Sequence, residues 1–251
     1  MIDYDRPEDL AAIVAAAPRP ILIGLDVDGV LAPIVAHADE ATLLDGIADA
    51  IDALAACEDT IVAVVSGRSV ADLERFGFGR DLVVIGSHGM ETRDRPLPPL
   101  DDAEADRLDT LDVLAAAAAD RAGPGAWVER KPASVVLHVR QADPAAGGDA
   151  LDRLRSEVSA VPGATTKAGN GVLELFARHA DKGSALVALG ANAGAATTVF
   201  VGDDLTDEEA FGRLSPTDIA VKVGDADTIA NHRLSDPPAV LEFLRALPHP
   251  R

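Results

Sequence analysis

The sequence predicts an α/β fold: a Rossmann-like parallel-sheet core with an α+β cap domain inserted into it. Three observations lead there. From residue 21 to residue 85, short and nearly continuous apolar runs alternate with helical patterns. That is the signature of parallel strands buried on both faces. Near Arg93 the pattern changes to alternating apolar and polar segments with a hairpin turn, which suit an antiparallel sheet. After about Asp181 the first pattern resumes, so both ends of the chain feed one core.

In chain order, Ile21–Val27 reads as the first buried strand and 41–56 as a helix. Thr60–Val65 is a second apolar run and ends at Ser66-Gly67-Arg68. A short helix runs from Val70 towards Phe76, and Leu82–Ile85 is a third strand. The proline-rich Arg95–Pro99 reads as a linker. A helix over 101–121 follows, then strands over 126–130 and 134–140, a helix over 146–160, and a hairpin with Gly169-Asn170-Gly171 at its turn. In 134–140, Val135, Leu137 and Val139 share one face, and Val136, His138 and Arg140 the other. The core pattern returns with a helix from Asp181, a strand over 197–202, a helix from Thr206, a strand over 219–223 and a helix over 238–247. The expected division is a core of 1–94 and 178–251 and a cap of 95–177.

Composition narrows the partners. Hydrophobic residues make up 48% of the 251-residue chain but aromatics only 3%, so the core packs aliphatic side chains. A formal charge of -20 repels nucleic-acid phosphates and anionic lipid. No nucleic-acid or membrane partner is therefore expected, and the plain reading of the charge is solubility. The same charge repels a phosphorylated ligand at long range, so any phosphate site here needs local cations or a metal. The single cysteine, Cys57, excludes an internal disulfide and falls in a helical pattern with Ile47, Ile51 and Leu54. The N-terminus is acidic where a signal peptide is basic, and the apolar stretch 10–17 is too short to cross a bilayer. A cytoplasmic protein is the expectation, with a monomer favoured.

Chemistry gathers at strand ends. Asp26-Val27-Asp28-Gly29 follows the first strand, where open parallel sheets bind ligands. Alone, a D-x-D is weak among 42 acidic residues; its position strengthens it. Gly202-Asp203-Asp204-Leu205-Thr206-Asp207 repeats the arrangement after a later strand. A plain helix start, with Thr206 as N-cap, accounts for Asp207 to Glu209 but not for Asp203 and Asp204. Two such clusters on neighbouring strands repel unless a cation lies between them, and a hard, oxygen-ligated ion suits that place. Ser66-Gly67-Arg68 reads either as an ordinary turn or as a phosphate-binding one. Asp181-Lys182-Gly183 places a cation at a helix start, where the dipole disfavours it. It reads as a solvated lysine or as an active-site one.

Together, in this order and spacing, the four segments resemble the four motifs of the haloacid-dehalogenase superfamily of phosphohydrolases. The resemblance implies Mg²⁺-dependent phosphoryl transfer through an aspartyl phosphate. Asp26 would be the nucleophile and Asp28 the general acid and base. Ser66 and Lys182 would hold the phosphoryl oxygens, with Gly67 and Arg68 beside them. Asp26, Asp203 and the backbone carbonyl of Asp28 would bind the metal, with Asp204 and Asp207 nearby. One departure stands out: Val30 occupies the position of a usual threonine.

A narrower resemblance covers most of the chain. Gly86–Glu91, Glu129–Pro132, Val136–Arg140, Gly171–Leu175 and Gly202–Glu208 are similar to segments of trehalose-6-phosphate phosphatases. It implies sugar-binding roles for Glu129, Lys131, Arg140 and Glu174 on the cap, and for His88 and Glu91 on the core. Each cap residue also has a plain reading. Glu129, Lys131 and Arg140 suit a solvated strand face, Glu174 suits an outward strand position, and His138 suits a packed histidine. The alternatives are a phosphatase of sucrose phosphate or of glucosyl- or mannosyl-phosphoglycerate and, more remotely, a sugar-phosphate-binding module without catalysis.

Overall fold

The computed structural model describes residues 2–35, 38–179 and 181–248. Both predicted ends of the core, Met1 and Arg251, lie outside the described residues, as does Ala180. In chain order the elements are α1 (Pro7–Ala16), β1 (Ile21–Leu25), α2 (Ile47–Ala55), β2 (Thr60–Val65), α3 (Val70–Leu73), β3 (Val83–Gly86), β4 (Glu91–Thr92), α4 (Asp102–Ala122), β5 (Trp127–Arg130), β6 (Ser134–His138), α5 (Pro144–Val158), β7 (Thr165–Gly169), β8 (Val172–Phe176), α6 (Lys182–Ala193), β9 (Thr197–Gly202), α7 (Leu205–Phe211), β10 (Ile219–Val223), β11 (His232–Leu234) and α8 (Pro237–Ala246). Short 3-10 turns cover Ala38–Glu40, Glu74–Phe76 and Ser87–Gly89. No helix among the described residues is long and apolar enough to cross a membrane.

The chain folds as two compact units, Met1–Pro96 with Asp181–Arg251, and Leu97–Ala180. In the first, seven strands run in the order β11-β10-β9-β1-β2-β3-β4. Every neighbouring pair is parallel except β3–β4. The alternation of side chains sorts the strands between two cores. Ile21, Ile23 and Leu25 of β1 join Val62, Val64, Val199 and Val221 under α1, α2 and α8, where Leu10, Val14, Ile51, Leu54, Val240 and Phe243 pack. Leu22, Ala63, Val65, Phe200 and Ala220 face the other way, onto Leu186 of α6 and Phe211 of α7. Gly24 lies on that second face. A side-chain carbon there would stand 2.7 Å from Leu186, so the glycine admits α6 closely to the sheet centre.

The second unit is a four-stranded antiparallel sheet, β5-β6-β8-β7, with α4 and α5 on one face. Val135, Leu137, Leu173 and Leu175 point at the helices and meet Leu111, Ala115 and Leu154. Asp101 caps α4 in a full capping box with Glu104. Arg178 ties the two crossing segments of this unit together. It donates to the carbonyls of Pro98 (3.0 Å) and Pro99 (2.9 Å) and pairs with Glu104.

Several boundaries and elements differ from the sequence reading. The helix expected from residue 41 begins only at Ile47, because Gly46 at its N-cap is left-handed (φ 92°) and breaks the run. Cys57 lies beyond the end of that helix, half-buried. α1, β4 and β11 are additional elements. The last two are strands of two and three residues, too short to show a period.

Glu104 is held at about 2, well below its usual range, first by the Arg178 hydrogen bond and then by the backbone N–H of Asp101. A carboxylate whose pKa falls on folding stabilises the fold above its unfolded value, and that contribution disappears as pH drops through the folded value. The melting temperature of Glu104→Gln, whose amide preserves the capping box, should therefore lie below that of the unaltered chain at pH 7. The gap should narrow from about pH 4.5 and close near pH 2. Parallel melting curves across that window check it; a gap independent of pH would refute the role of the charge.

Candidate active site

The parallel sheet places its chemistry at one edge because all the strands that carry it end there. β1 lies between β9 and β2, so the residues after these three strands are neighbours. Asp26, 4% exposed, follows β1, and its N–H donates to the Val201 carbonyl of β9 at 3.0 Å. Its Oδ1 accepts the N–H of Val27 at 2.8 Å, which leaves Oδ2 turned into the site. Gly29 makes the approach of the second cluster possible. Its φ is 77°, and a side-chain carbon there would lie 2.0 Å from Asp203 Oδ2. Gly202 does the same for Asp207, whose Cγ would be 2.3 Å from such a carbon. One carboxylate oxygen from each of Asp26, Asp203 and Asp207 lies within 4.8 Å of the others.

Lys182 is the cation of this cluster. It is 2% exposed, and its Nζ donates to Asp26 Oδ2 at 2.8 Å and to Asp207 Oδ1 at 3.0 Å. Asp181 caps its helix, accepting from the N–H groups of Gly183 (2.9 Å) and Ser184 (3.2 Å). Gly183 lets α6 meet α7, since a side-chain carbon there would lie 2.8 Å from the Ala210 backbone. Asp-Lys-Gly is thus a cap, a charge and a close-packing residue in succession.

The electrostatics show a surplus of negative charge. Burial raises Asp26 to about 7; Lys182 opposes the shift, and Asp204 and Asp203 reinforce it. Burial, with Asp204 and Asp207 beside it, raises Asp203 to about 8. Asp207 is likewise pushed well up by burial. Burial disfavours the charge on Lys182, but Asp207 and Asp26 outweigh it and keep the amine protonated. For Asp204, burial is outweighed by Lys182 and by hydrogen bonds from Thr206 and Asp207, which hold it at about 2.

Asp204, not Thr206, is the N-cap of α7. Its Oδ1 accepts from the N–H groups of Thr206 (2.8 Å) and Asp207 (3.1 Å) and from the Thr206 hydroxyl (2.7 Å). Asp207 completes a capping box through Oδ2, which accepts from the N–H groups of Asp203 (2.9 Å) and Asp204 (3.1 Å). Capping therefore orients both carboxylates, and Asp207 presents its other oxygen to Lys182.

The remaining core candidates form a second group in the segments after β1, β2 and β3. Both oxygens of Asp28 accept from Arg68, Nε to Oδ2 and Nη2 to Oδ1, each at 2.7 Å. Arg68 lies over the ring of Phe76, 5.5 Å from its centroid. Ser66 is 1% exposed, and its hydroxyl oxygen accepts the Arg68 N–H at 3.2 Å. The His88 ring lies against Gly67, where a side-chain carbon would meet Nε2 at 2.5 Å. Ser87 and His88 have φ of 50° and 54°, a left-handed pair in two non-glycine residues. Glu91 stabilises this turn: its Oε1 accepts from the Ser87 hydroxyl at 2.8 Å and from the Val70 N–H at 2.9 Å. Val30 is fully buried among the apolar side chains of the first core.

In the second unit, strand register places Glu129, Lys131, His138 and Glu174 on the sheet face opposite the helices. Glu174 is 9% exposed; its Oε1 accepts from the Ser134 hydroxyl at 2.6 Å and from Lys131 Nζ at 3.1 Å. Glu129 Oε2 lies 2.9 Å from His138 Nε2, and that contact is the main cause of its lowered pKa. Arg140 is exposed beyond the end of β6, and its Nε donates to the Asn170 carbonyl at 2.7 Å.

Three polar residues of these groups went unmarked in the sequence reading. Lys222 is 2% exposed in β10 and donates to the Asp203 carbonyl. A lysine inside Ile219–Val223 was the available signal. Ser134 and Lys167 are buried on the polar face of the second sheet, with Lys167 paired in register with Glu174. Their partners are distant in sequence, and nothing local marks them.

The trehalose-phosphatase family model matches residues 24–238. The trehalose-6-phosphate phosphatase of Escherichia coli is 33% identical over 231 residues, covering 88% of this chain and 84% of that protein. An uncharacterised glycosyl hydrolase of Mycobacterium tuberculosis is 36% identical over 250 residues; these cover 91% of this chain but only 18% of that much longer protein. In fold, the C-terminal domain of the Candida albicans trehalose-6-phosphate phosphatase superposes with a TM-score of 0.83 over 97% of both chains, at 23% identity. The family match runs through both arms of the core and the whole of the inserted unit, and the chain belongs to the trehalose-phosphatase family.

Proposed function

We propose that this chain hydrolyses trehalose 6-phosphate to trehalose and phosphate, with Asp26 as nucleophile. The observation that carries the reading is the buried carboxylate cluster at the end of β1, served by the cation Lys182. Asp26 would attack phosphorus through Oδ2, breaking the bond to the sugar oxygen, which takes a proton from Asp28. Water would then attack the aspartyl phosphate and give its proton to Asp28, releasing phosphate and restoring the Asp26 carboxylate. Because Arg68 holds both oxygens of Asp28, this acid–base work requires that ion pair to open when substrate binds. Ser66, Gly67, Arg68 and Lys182 would face the phosphoryl group. Glu129, Lys131, Arg140 and Glu174, with His88 and Glu91, would serve the sugar, since hydroxyls both donate and accept. The unit 97–180 would act as the cap that sets which sugar is accepted.

The donor set fits Mg²⁺. One oxygen from each of Asp26, Asp203 and Asp207 lies within 4.8 Å of the others, and hard carboxylate oxygens gathered in this way are what the ion takes. Burial, reinforced by the neighbouring carboxylates, raises Asp26 and Asp203, and a dication would offset both effects. The Asp28 carbonyl would join these ligands, with Asp204 orienting them. When bound, Mg²⁺ would offset the charge that builds on the phosphoryl oxygens.

Phosphate release from a panel of sugar phosphates tests the substrate. Trehalose 6-phosphate should give the highest kcat/KM. Preference for sucrose phosphate or for a glucosyl- or mannosyl-phosphoglycerate would replace the substrate and keep the chemistry. Asp26→Asn should lower turnover by at least about 10³-fold. Its melting temperature should not fall, because it removes one charge from an overcrowded set. Chelation should abolish activity and added Mg²⁺ restore it. Mg²⁺ should also raise the melting temperature of the unaltered chain, and raise it much less in Asp203→Asn. Equal shifts in both proteins would remove Asp203 from the metal site.

A further inference from the structure

Trp127 stands on the polar face of the second sheet, outside its ion pairs. Trp127, the chain's single tryptophan, is 41% exposed on β5, an edge strand. The apolar cluster closed by α4 and α5 includes its neighbour Val128 but not Trp127. In register it pairs with His138, and two residues along the same face stands Glu129. The indole stacks flat on the imidazole, with centroids 3.9 Å apart and planes at 2°. The imidazole is held in turn by Glu129 at 2.9 Å. A carboxylate thus fixes a histidine, and the histidine fixes an aromatic plate that keeps much of its surface open to solvent.

Such a plate beside hydrogen-bonding groups suits one chemistry above others. A pyranose ring has apolar C–H faces and a rim of hydroxyls. It binds where an aromatic surface takes the face and carboxylates and amines take the rim. On this sheet face, Glu129, Lys131 and Glu174 supply the rim groups. We propose that Trp127 is a specificity-determining residue, the platform on which a hexose ring of the sugar phosphate lies. The proposal rests on the sugar-phosphatase reading above and adds the residue that selects for a sugar over other phosphomonoesters. The plainer role, a stack that shields the end of an edge strand, would act through stability and treat every substrate alike.

The test compares trehalose 6-phosphate with p-nitrophenyl phosphate, which has no pyranose. In Trp127→Ala the ratio of kcat/KM for the two should fall about 10-fold, through KM. Trp127→Phe, which keeps an aromatic plate, should recover most of it. An unchanged ratio in Trp127→Ala would overturn the proposal. A second measurement needs no change at residue 127. In Asp26→Asn, which should bind without turnover, tryptophan emission should shift with trehalose 6-phosphate and not with inorganic phosphate. An equal response to both would also count against it. Should the unaltered chain prefer another sugar phosphate, the substrate reading fails and the same ratio, taken with that sugar, decides the role of Trp127. Hydrolysis of p-nitrophenyl phosphate alone would overturn both.

Discussion

The contact on which the site depends is the Lys182 ammonium buried between Asp26 and Asp207. An unpaired charge with 2% exposure would cost several kcal/mol, so Lys182 depends on carboxylates brought to it by other elements. The three residues come from the end of β1, the start of α6 and the first turn of α7. They span residues 26 to 207, and the pairing closes the core across the whole inserted unit. That cation stands at a helix N-terminus, where the dipole opposes it. Carboxylates contributed by other elements reverse the balance. The outcome is a strongly held charge in a place that a stability argument alone would leave apolar.

Glycine sets how close the chain can come. Gly29 and Gly202 bring the Asp203 and Asp207 carboxylates against backbone, and Gly183 brings two helices together. These three positions explain why the acidic clusters converge instead of splaying outwards under their own repulsion. Burial, reinforced by that repulsion, raises the pKa values of Asp26 and Asp203. The second unit solves a different problem. Its sheet gives one face to helices and keeps the other polar, and it balances that face with internal pairs, Glu174 with Ser134 and Lys131, and Glu129 with His138.

The difference between the two units shows in how well each could be read in advance. Strands of the parallel core are buried on both faces, so they appear as apolar runs with chemistry at their ends, and the four motifs stood out at once. The start of α2 is harder to read, because an apolar–polar pattern continues through the loop before Gly46. The N-cap of α7 is not legible either, because three of the four residues over 204–207 are able to cap. On the second sheet, alternation marked which residues share a face but not what they touch. Ser134 meets Glu174 across forty positions of sequence.

The amino-acid order by itself determined the α/β class, the interruption by an antiparallel unit, and the placement of Asp26, Ser66, Lys182 and Asp203 after or before buried elements. These follow from local periodicity and from where polar residues break it. The tertiary structure alone decided that Asp28 is clasped by Arg68, that Asp204 and Asp207 double as helix caps, that Glu91 braces the turn behind His88, and that Trp127 lies flat on His138. Each of those depends on which strand lies beside which and in what register. That is settled by packing among residues far apart in the chain, not by any pattern along it.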